Sequence, residues 1–263
     1  MAFTPGESMP TAKQVPLRLP LLALALATLA LWAAGTLDRV DHAVGDALLA
    51  RHAQSRTPPD EIVLVAIDQH SLEQLKGIAG PWPWPRSVHG ELLDGLARFR
   101  PQAVAFDVLF NEADAFQPDN DQVLRDVALT QDNLFFPSQR MPDGNPTPME
   151  KVPPSLGAVR TGVDDGSPAP VLLLPEVLDP KNWQGGLINF ETDPDGKGRH
   201  YRLYAETGGW RLPYMGANIA RFTGATLPPA ERIRLNWYGQ WPRTISYSDL
   251  FDDLGQPEPK IAP

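Results

Sequence analysis

The hydrophobic pattern near the N-terminus indicates one long apolar helix. No charged residue occurs from Leu19 to Leu37, and a helix of that length extends over about 28 Å, close to the ~30 Å hydrocarbon core of a bilayer. The run is longer than the ~7–15 apolar residues of a signal peptide. The pattern therefore favours a transmembrane helix at 19–37, preceded by a tail at 1–18. A cleaved signal peptide and a buried core helix are the two alternatives.

Basic residues near the two ends of this run do not decide its orientation. Lys13 and Arg18 precede the run, whereas Arg39, Arg51 and Arg56 follow it. The positive-inside rule compares lysine and arginine on the two sides, and these numbers are too similar to choose between them.

The remaining residues, 38–263, alternate between strand-type and helix-type patterns. An apolar stripe with helical spacing covers 36–54 and is followed by two runs typical of strands buried on both faces. The predicted order is strand 62–68, helix 86–100 (Val88, Leu92, Leu93, Leu96 and Phe99 inward), strand 103–110, helix 119–130 and strand 133–137. This order predicts an α/β fold with a mostly parallel sheet flanked by helices.

Proline marks a change in the second half of the chain. Residues 137–180 contain ten prolines, which predicts a long irregular insertion. Short strand patterns then predict a β-hairpin region around one more helix. The predicted elements are strands at 186–191, 200–206, 234–239 and 243–247 and a helix at 213–222.

Composition excludes several classes of function. The chain has no cysteine, so it holds no disulfide, thiolate metal site or cysteine nucleophile. A net charge of −9 argues against a nucleic-acid partner, because phosphate binding requires a basic surface. The five histidines have no zinc spacing, and no Walker A, G-x-G-x-x-G or G-x-S-x-G motif occurs. The sequence therefore predicts no catalytic residue, metal site or cofactor.

An aspartate occurs in each of the two predicted buried strands. Asp68 comes directly after the apolar run IVLVAI, and Asp107 directly after AVAF. Ligands of open parallel sheets bind outside the carboxyl ends of strands, so these side chains are candidate ligand-binding residues. The alternative interpretation is that each carboxylate caps the following loop through backbone N–H groups.

A tryptophan-proline block, GPWPWPR at 80–86, is the most unusual local motif. Its alternating prolines fix an extended backbone and present Trp82 and Trp84 rigidly, with Arg86 at the start of the next helix. We interpret these three residues as candidate ligand-binding residues. A purely structural interpretation is that the tryptophans close one end of the sheet.

An acidic turn, DPDGKGR at 193–199, follows the strand predicted at 186–191. It lacks the third acidic position and final glutamate of an EF-hand, so the pattern favours a turn between strands over a calcium site.

Five blocks occur in a characteristic order: IVLVAIDQHSL, GPWPWPRSVHGELLDGL, AVAFDVLFNE, GLINFETDPDGKGRHYRL and LNWYGQWPRTISYSDL. From about Asp46 to Leu250 the chain thereby resembles the CHASE type 2 domain, a sensory extracellular domain associated with cyclases and histidine kinases in bacteria. Within the family turn DxDGxxR, Asp193, Asp195, Gly196 and Arg199 match, which adds Asp195 and Arg199 to the candidate binding residues.

The resemblance implies a location and a pathway. The N-terminus is expected in the cytoplasm, and 38–263 outside the cell membrane, in the periplasm or extracellular space. Family members continue with another strand and further membrane helices leading to a cytoplasmic cyclase or kinase, so we expect the C-terminal end of the domain to be missing here. The partners implied are the membrane and an unknown small-molecule or envelope ligand.

Three functions compete at this point. The leading hypothesis is a non-enzymatic sensor domain. The second is a metal-dependent hydrolase using Asp68 and Asp107. The third is an assembly module that binds envelope proteins or forms a homodimer.

Overall fold

The computed structural model describes residues 18–33, 36–162, 166–179 and 183–261. The tail predicted at 1–18 lies outside these residues except for Arg18. Contacts divide the chain into two compact units, which are described separately. The first consists of residues 1–57 with 237–240, and the second of 58–236 with 241–263.

The first unit contains two helices, α1 (Arg18–Ala33) and α2 (Thr36–Gln54). Helix α2 has the bounds predicted from its apolar stripe. Of the helix predicted over 19–37, residues 19–33 lie in α1 and residues 36–37 in α2, whereas residues 34–35 lie outside the described residues. None of the helices within the described ranges has the length and apolarity needed to cross a membrane. The large apolar side chains of α1 are exposed: Leu21, Leu22, Leu24, Leu26, Leu29, Leu31 and Trp32.

Parallel strand pairs organise the second unit. Strand β1 (Val63–Ala66) pairs with β11 (Arg243–Ser246). Strand β3 (Leu134–Met141) pairs on one side with β2 (Val104–Ala105) and on the other with β6 (Gln184–Leu187). These parallel pairs agree with the predicted α/β class.

The helices that cover these strands bury one apolar face each. They are α3 (Gln69–Gln74), α4 (Lys76–Ala79), α5 (Arg86–Ala97), α6 (Pro118–Thr130) and α8 (Tyr247–Leu254). An added Cβ on Gly90 of α5 would lie 3.3 Å from the Leu124 backbone of α6, so glycine permits this close crossing. The inward face predicted for α5 is confirmed except at Phe99, which is exposed because the helix ends two residues earlier.

The proline-rich insertion is more ordered than predicted. Strand β3 continues to Met141, and β5 (Val171–Leu173) pairs with its end in antiparallel register. Two single-turn 3-10 helices lie between them, at Met149–Lys151 and Pro154–Leu156, followed by β4 (Val159–Arg160). Pro170 precedes β5 and Pro175 follows it, so proline lies outside this short strand and does not interrupt its ladder.

The predicted hairpin region is confirmed in part, because the strand predicted at 234–239 shares only Arg234 with the observed strand there. Strands β8 (Tyr204–Thr207) and β9 (Trp210–Pro213) form a hairpin whose two central residues, Gly208 and Gly209, both have positive φ. Glycine permits this turn type, which follows the right-handed twist of the strands. Strand β4 pairs with the outer edge of β9, and β7 (His200–Arg202) pairs with β10 (Arg232–Arg234). Helix α7 (Met215–Phe222) follows the hairpin.

The mostly parallel sheet of the prediction is replaced by several small sheets. Among the described residues three ladders are parallel and four are antiparallel. The expectation that the first strand is buried on both faces was also wrong. Leu64 of β1 is 40% exposed, because β1 and β11 form a two-stranded sheet with an open face.

Candidate functional site

A cleft of about 510 Å³ opens in the second unit, beside the tryptophan-proline block. One wall is the block itself, at the N-terminus of α5, and the other is the loop that follows β2. Five aromatic or imidazole side chains line it: Trp82, Trp84, His89, Phe110 and Phe116. This volume lies within the ~300–1,000 Å³ range of small-molecule sites, so we take it as the candidate functional site.

The two tryptophans of the block have different environments. Their rings meet edge to face, with centroids 5.1 Å apart. Trp82 is 41% exposed at the surface of the cleft, whereas Trp84 is 4% exposed. The buried Trp84 Nε1 has no hydrogen-bond acceptor among the described residues. Buried indole N–H groups usually have a partner, so this donor is an exception among the buried polar groups.

Aromatic side chains pack against the lining residues Trp84 and His89. The Trp84 ring lies 5.1 Å from Tyr247 of α8, and the His89 ring lies 5.3 Å from Phe106 and 5.6 Å from Phe110. Such tilted and edge-to-face pairs stabilise an aromatic cluster beyond the area it buries. The cluster therefore supports the tryptophan block rigidly.

His89 is held neutral within this cluster. Its Nδ1 is hydrogen-bonded to the Tyr247 hydroxyl at 2.9 Å, and the same hydroxyl lies 3.4 Å from the Val88 carbonyl. The tautomer of the neutral imidazole sets which of the two groups donates in the 2.9 Å bond. Burial, reinforced by the nearby Arg86 charge, lowers the pKa of His89 to about 4. Burial likewise raises the pKa of Tyr247.

Arg86 holds the two walls together. Its Nη2 donates to the Glu112 carbonyl at 2.5 Å, and its Nε lies 3.2 Å from Asp121 Oδ1 on α6. The contact with Asp121 is a charge–charge contact, because neither atom has a hydrogen bond of good geometry. A third group, Asp114 Oδ2, lies 3.9 Å from Nη1. Arg86 thus lies at the predicted place, but its charge is balanced within the protein.

Two aspartates fix the conformation of the loop that forms the second wall. Asp121, 2% exposed, accepts the backbone N–H of Asp114 through Oδ2 at 2.7 Å. Asp114 in turn accepts the backbone N–H groups of Phe116 and Gln117, each at 2.9 Å. These two backbone bonds, led by that of Gln117, lower the pKa of Asp114. They leave the Phe116 side chain 96% exposed at the edge of the cleft.

Asp68 is a capping residue in this structure. Its carboxylate accepts the backbone N–H and the hydroxyl of Ser71 and the hydroxyl of Ser246, all at 2.8 Å. It therefore begins α3 and joins the ends of β1 and β11. The Ser71 backbone bond is the main cause of a lowered pKa at Asp68, with the two hydroxyl bonds adding to it and burial opposing it. The capping interpretation of this residue is confirmed.

Asp107 follows β2 and is exposed. The structure places it after a strand of a different sheet from the strand that precedes Asp68. Within the described ranges, no group of three or more His, Asp or Glu side chains is arranged to hold a metal ion.

Ion pairs between side chains of the acidic turn itself hold it in its conformation. Arg199, 4% exposed, donates to Asp193 Oδ2 at 2.9 Å and to both oxygens of Asp195 at 2.8 and 2.6 Å. Arg199 is the main cause of lowered pKa values at both aspartates, and lowers that of Asp195 to about 2. Gly196, at φ 79°, supplies the left-handed conformation that the turn requires. None of these side chains lines the cleft.

The structure therefore brings three of the seven predicted site residues to one place: Trp82, Trp84 and Arg86. The sequence reasoning missed His89, Asp114, Phe116, Asp121 and Tyr247. The position of His89, three residues after Arg86 in the same helix, was the available signal, because residues with that spacing share a helix face.

Comparison with known families agrees with the order of the sequence blocks. The family model described as "CHASE2 domain" matches residues 22–262, which is most of the chain. No curated protein and no solved structure matches. The chain thus belongs to the CHASE2 domain family, a family of extracellular sensory domains of signalling receptors.

Proposed function

We propose that the cleft beside the tryptophan-proline block is the signal-binding site of this sensory domain. The observation that carries the proposal is the Trp84 side chain, which lines the cleft and whose buried Nε1–H has no acceptor among the described residues. A buried donor without a partner costs about 1–3 kcal/mol, and a ligand acceptor would recover that cost. A sensory domain gains affinity and specificity from such a group.

The charges around the cleft favour an uncharged ligand. Arg86 is balanced by Asp121 and Asp114, and His89 is neutral because burial lowers its pKa to about 4. A charged ligand would have to compete with these internal ion pairs. The expected ligand is therefore neutral and carries at least one acceptor oxygen or nitrogen for Trp84.

The exposed rings favour a flat ligand. Trp82 and Phe116 line the cleft and present 41% and 96% of their surfaces to solvent. Large exposed aromatic side chains in one cleft stabilise a planar apolar molecule through stacking and buried area. We expect a heteroaromatic or similarly planar small molecule.

The signal would pass from the loop to the helices. Arg86 connects the loop after β2 to the first turn of α5, and the His89–Tyr247 bond connects α5 to α8. A ligand that binds both walls favours one arrangement of the loop over others, which is the differential interaction that a sensor requires. The expected output is a cytoplasmic cyclase or kinase.

Attachment to the cell membrane completes the proposal. The leucines of α1 expose their side chains, and an exposed apolar surface of this kind favours a non-aqueous environment. In this arrangement the N-terminus is cytoplasmic and residues 38–263 are periplasmic or extracellular. The full chain expressed in bacteria should stay with the membranes after alkaline carbonate washing. A Leu24→Arg/Leu26→Arg double variant should be released, and release of both proteins to the same extent would refute the anchor.

The binding proposal is tested with the full chain in detergent micelles. Thermal-shift screening against neutral planar heteroaromatic carbonyl compounds should give saturable stabilisation. Trp82→Ala should weaken the binding of any such compound about tenfold or more, as expected for loss of an aromatic contact in a pocket. Trp241→Ala is the matched control, since Trp241 is 82% exposed and does not line the cleft. Equal losses in both variants would refute the assignment of the cleft.

A further inference from the structure

A second cleft of about 370 Å³ lies between the sheet β4–β9–β8 and helix α7. Three arginines line it, Arg160, Arg211 and Arg221, together with Tyr204 and Thr161. No acidic side chain is among its lining residues within the described ranges. In a chain with a net charge of −9, such a concentration of arginine is unusual.

Arg211 and Tyr204 share one face of the sheet. The register of β8 and β9 places Glu206 opposite Arg211, and Tyr204 lies two residues before Glu206 on that face. Arg211 donates from Nε and Nη2 to a single oxygen, Glu206 Oε1, at 2.9 and 2.7 Å. Its guanidinium also lies 5.4 Å from the centre of the Tyr204 ring. Arg211 is therefore held in one orientation.

Arg221 reaches the same ring from α7. Its guanidinium lies 5.0 Å from the ring centre, and Nη2 donates to the Tyr204 hydroxyl at 2.5 Å. A longer bond of 3.4 Å joins Nη1 to Asn218 Oδ1. Among the described residues Arg221 has no carboxylate partner. Its charge is thus oriented by neutral groups and not neutralised.

Arg160 lies at the edge of the cleft but belongs to the other face of the sheet. It is opposite Trp210 in the β4–β9 ladder, with its guanidinium 5.7 Å from the indole ring, and the successive residues Trp210 and Arg211 of β9 lie on opposite faces. Glu206 balances Arg211, so the excess positive charge beside Tyr204 is that of Arg221.

We propose that this cleft binds a small oxyanion carrying carboxylate or phosphate groups. Guanidinium groups bind such groups through paired N–H donors, and the two arginines on Tyr204 are already oriented by their present contacts. Pre-orientation reduces the entropy lost on binding, which favours a specific site over diffuse attraction. The site is separate from the aromatic cleft and does not depend on its function.

The test uses inorganic phosphate and malonate as probes, with the full chain in detergent micelles. Ionic strength is held constant with sodium chloride, because surface charges are screened by salt. Isothermal titration should show saturable binding of at least one probe. Binding of phosphate alone identifies a phosphoryl ligand, and binding of malonate alone a carboxylate ligand. Saturable binding of neither probe overturns the proposal.

Arg221→Gln should weaken the binding of whichever probe binds, phosphate or malonate, about tenfold or more. This is the loss expected for a charged donor. Arg221→Lys should recover only part of the affinity, because lysine keeps the charge and lacks the planar pair of donors. Arg234→Gln is the matched control: Arg234 lies in β10, is exposed and does not line the cleft. An equal loss in Arg234→Gln would overturn the site and indicate non-specific attraction.

Discussion

The aromatic cleft and the acidic turn at 193–199 differ in how many of their polar groups are bonded within the chain. In the turn, Arg199 bonds to both Asp193 and Asp195 and is itself buried. In the cleft, the buried Trp84 Nε1 has no acceptor among the described residues, and two large rings are exposed. The turn is therefore complete without a ligand, and the cleft is not.

The comparison shows that residues in a conspicuous sequence motif are not necessarily the residues whose polar groups are free to bind a ligand. A run of aspartate, glycine and arginine suggests ion or ligand binding, yet here the opposite charges neutralise one another. Tryptophan between prolines suggests core packing, yet one indole N–H group remains unused. Whether a group can bind a ligand therefore depends on the partners it already has in the folded chain.

The largest expected effect concerns the wall of the cleft. Asp121→Ala should lower the free energy of unfolding by about 3–5 kcal/mol, because it leaves Arg86 without its buried partner and removes the acceptor for the Asp114 N–H. Urea denaturation measures this change. Asp119→Ala, at an exposed position in the first turn of the same helix, should cost less than about 1 kcal/mol. Similar losses in both variants would show that Arg86–Asp121 does not hold the wall.

The next effect depends on pH. The pKa of His89 is about 4 in the folded state, below its ordinary value of 6.5, so the unfolded state takes up a proton first as pH falls. The contribution of His89 to the free energy of unfolding is therefore fully present above pH 6.5. It decreases by about 3 kcal/mol as the pH falls from 6.5 to 4.

His89→Phe should remove that part of the pH dependence, measured by urea denaturation across the same range. His52→Gln changes an exposed histidine of α2 and should leave the profile unchanged. A His89→Phe profile parallel to that of the unsubstituted chain would contradict a neutral buried histidine.

A substitution in the acidic turn should lower the stability of the protein without changing ligand binding in the aromatic cleft. Arg199→Met should lower the free energy of unfolding by about 2 kcal/mol, because Asp193 and Asp195 lose their charged donor. Binding of a planar compound in the aromatic cleft should stay within about twofold of the unsubstituted chain, a change well under 1 kcal/mol. A stable Arg199→Met protein that no longer binds the compound would make the turn part of the site.

The smallest effect on stability is expected at Phe116. Since this side chain is 96% exposed, Phe116→Ser should change the free energy of unfolding by less than about 0.5 kcal/mol. The same variant should weaken binding of a planar compound, because it removes one ring from the cleft. Unchanged affinity would remove Phe116 from the binding surface.

Local signals were enough to predict much of the fold. The bounds of α2 and the presence of α5, α6 and β1 follow from periodicity, since each depends on residues close in sequence. The sheets were less predictable. Pairing of β1 with β11 joins distant segments, and neither the exposed face of β1 nor the strand β9, which includes Pro213, has a strong local pattern.

The site shows the same limit. The tryptophan-proline block identified Trp82, Trp84 and Arg86 because its prolines impose a local conformation. Asp121 and Tyr247, which hold that block in place, lie on other helices and carry no motif. The bond from the Ser246 hydroxyl to Asp68 is also between distant segments, whereas the cap that Asp68 forms on the Ser71 N–H is local. Contacts of this kind follow from the topology and not from spacing along the chain.

The most direct test of the sensory cleft is the indole N–H spectrum of the full chain, recorded in micelles with ¹⁵N-labelled tryptophan. Addition of a planar heteroaromatic carbonyl compound that stabilises the protein should shift the Trp84 Nε1–H resonance downfield, as a new hydrogen bond forms, and should also shift Trp82. The Trp241 resonance should stay in place. A bound compound that leaves the Trp84 resonance unchanged would contradict the claim that this unpaired donor is the recognition group of the cleft.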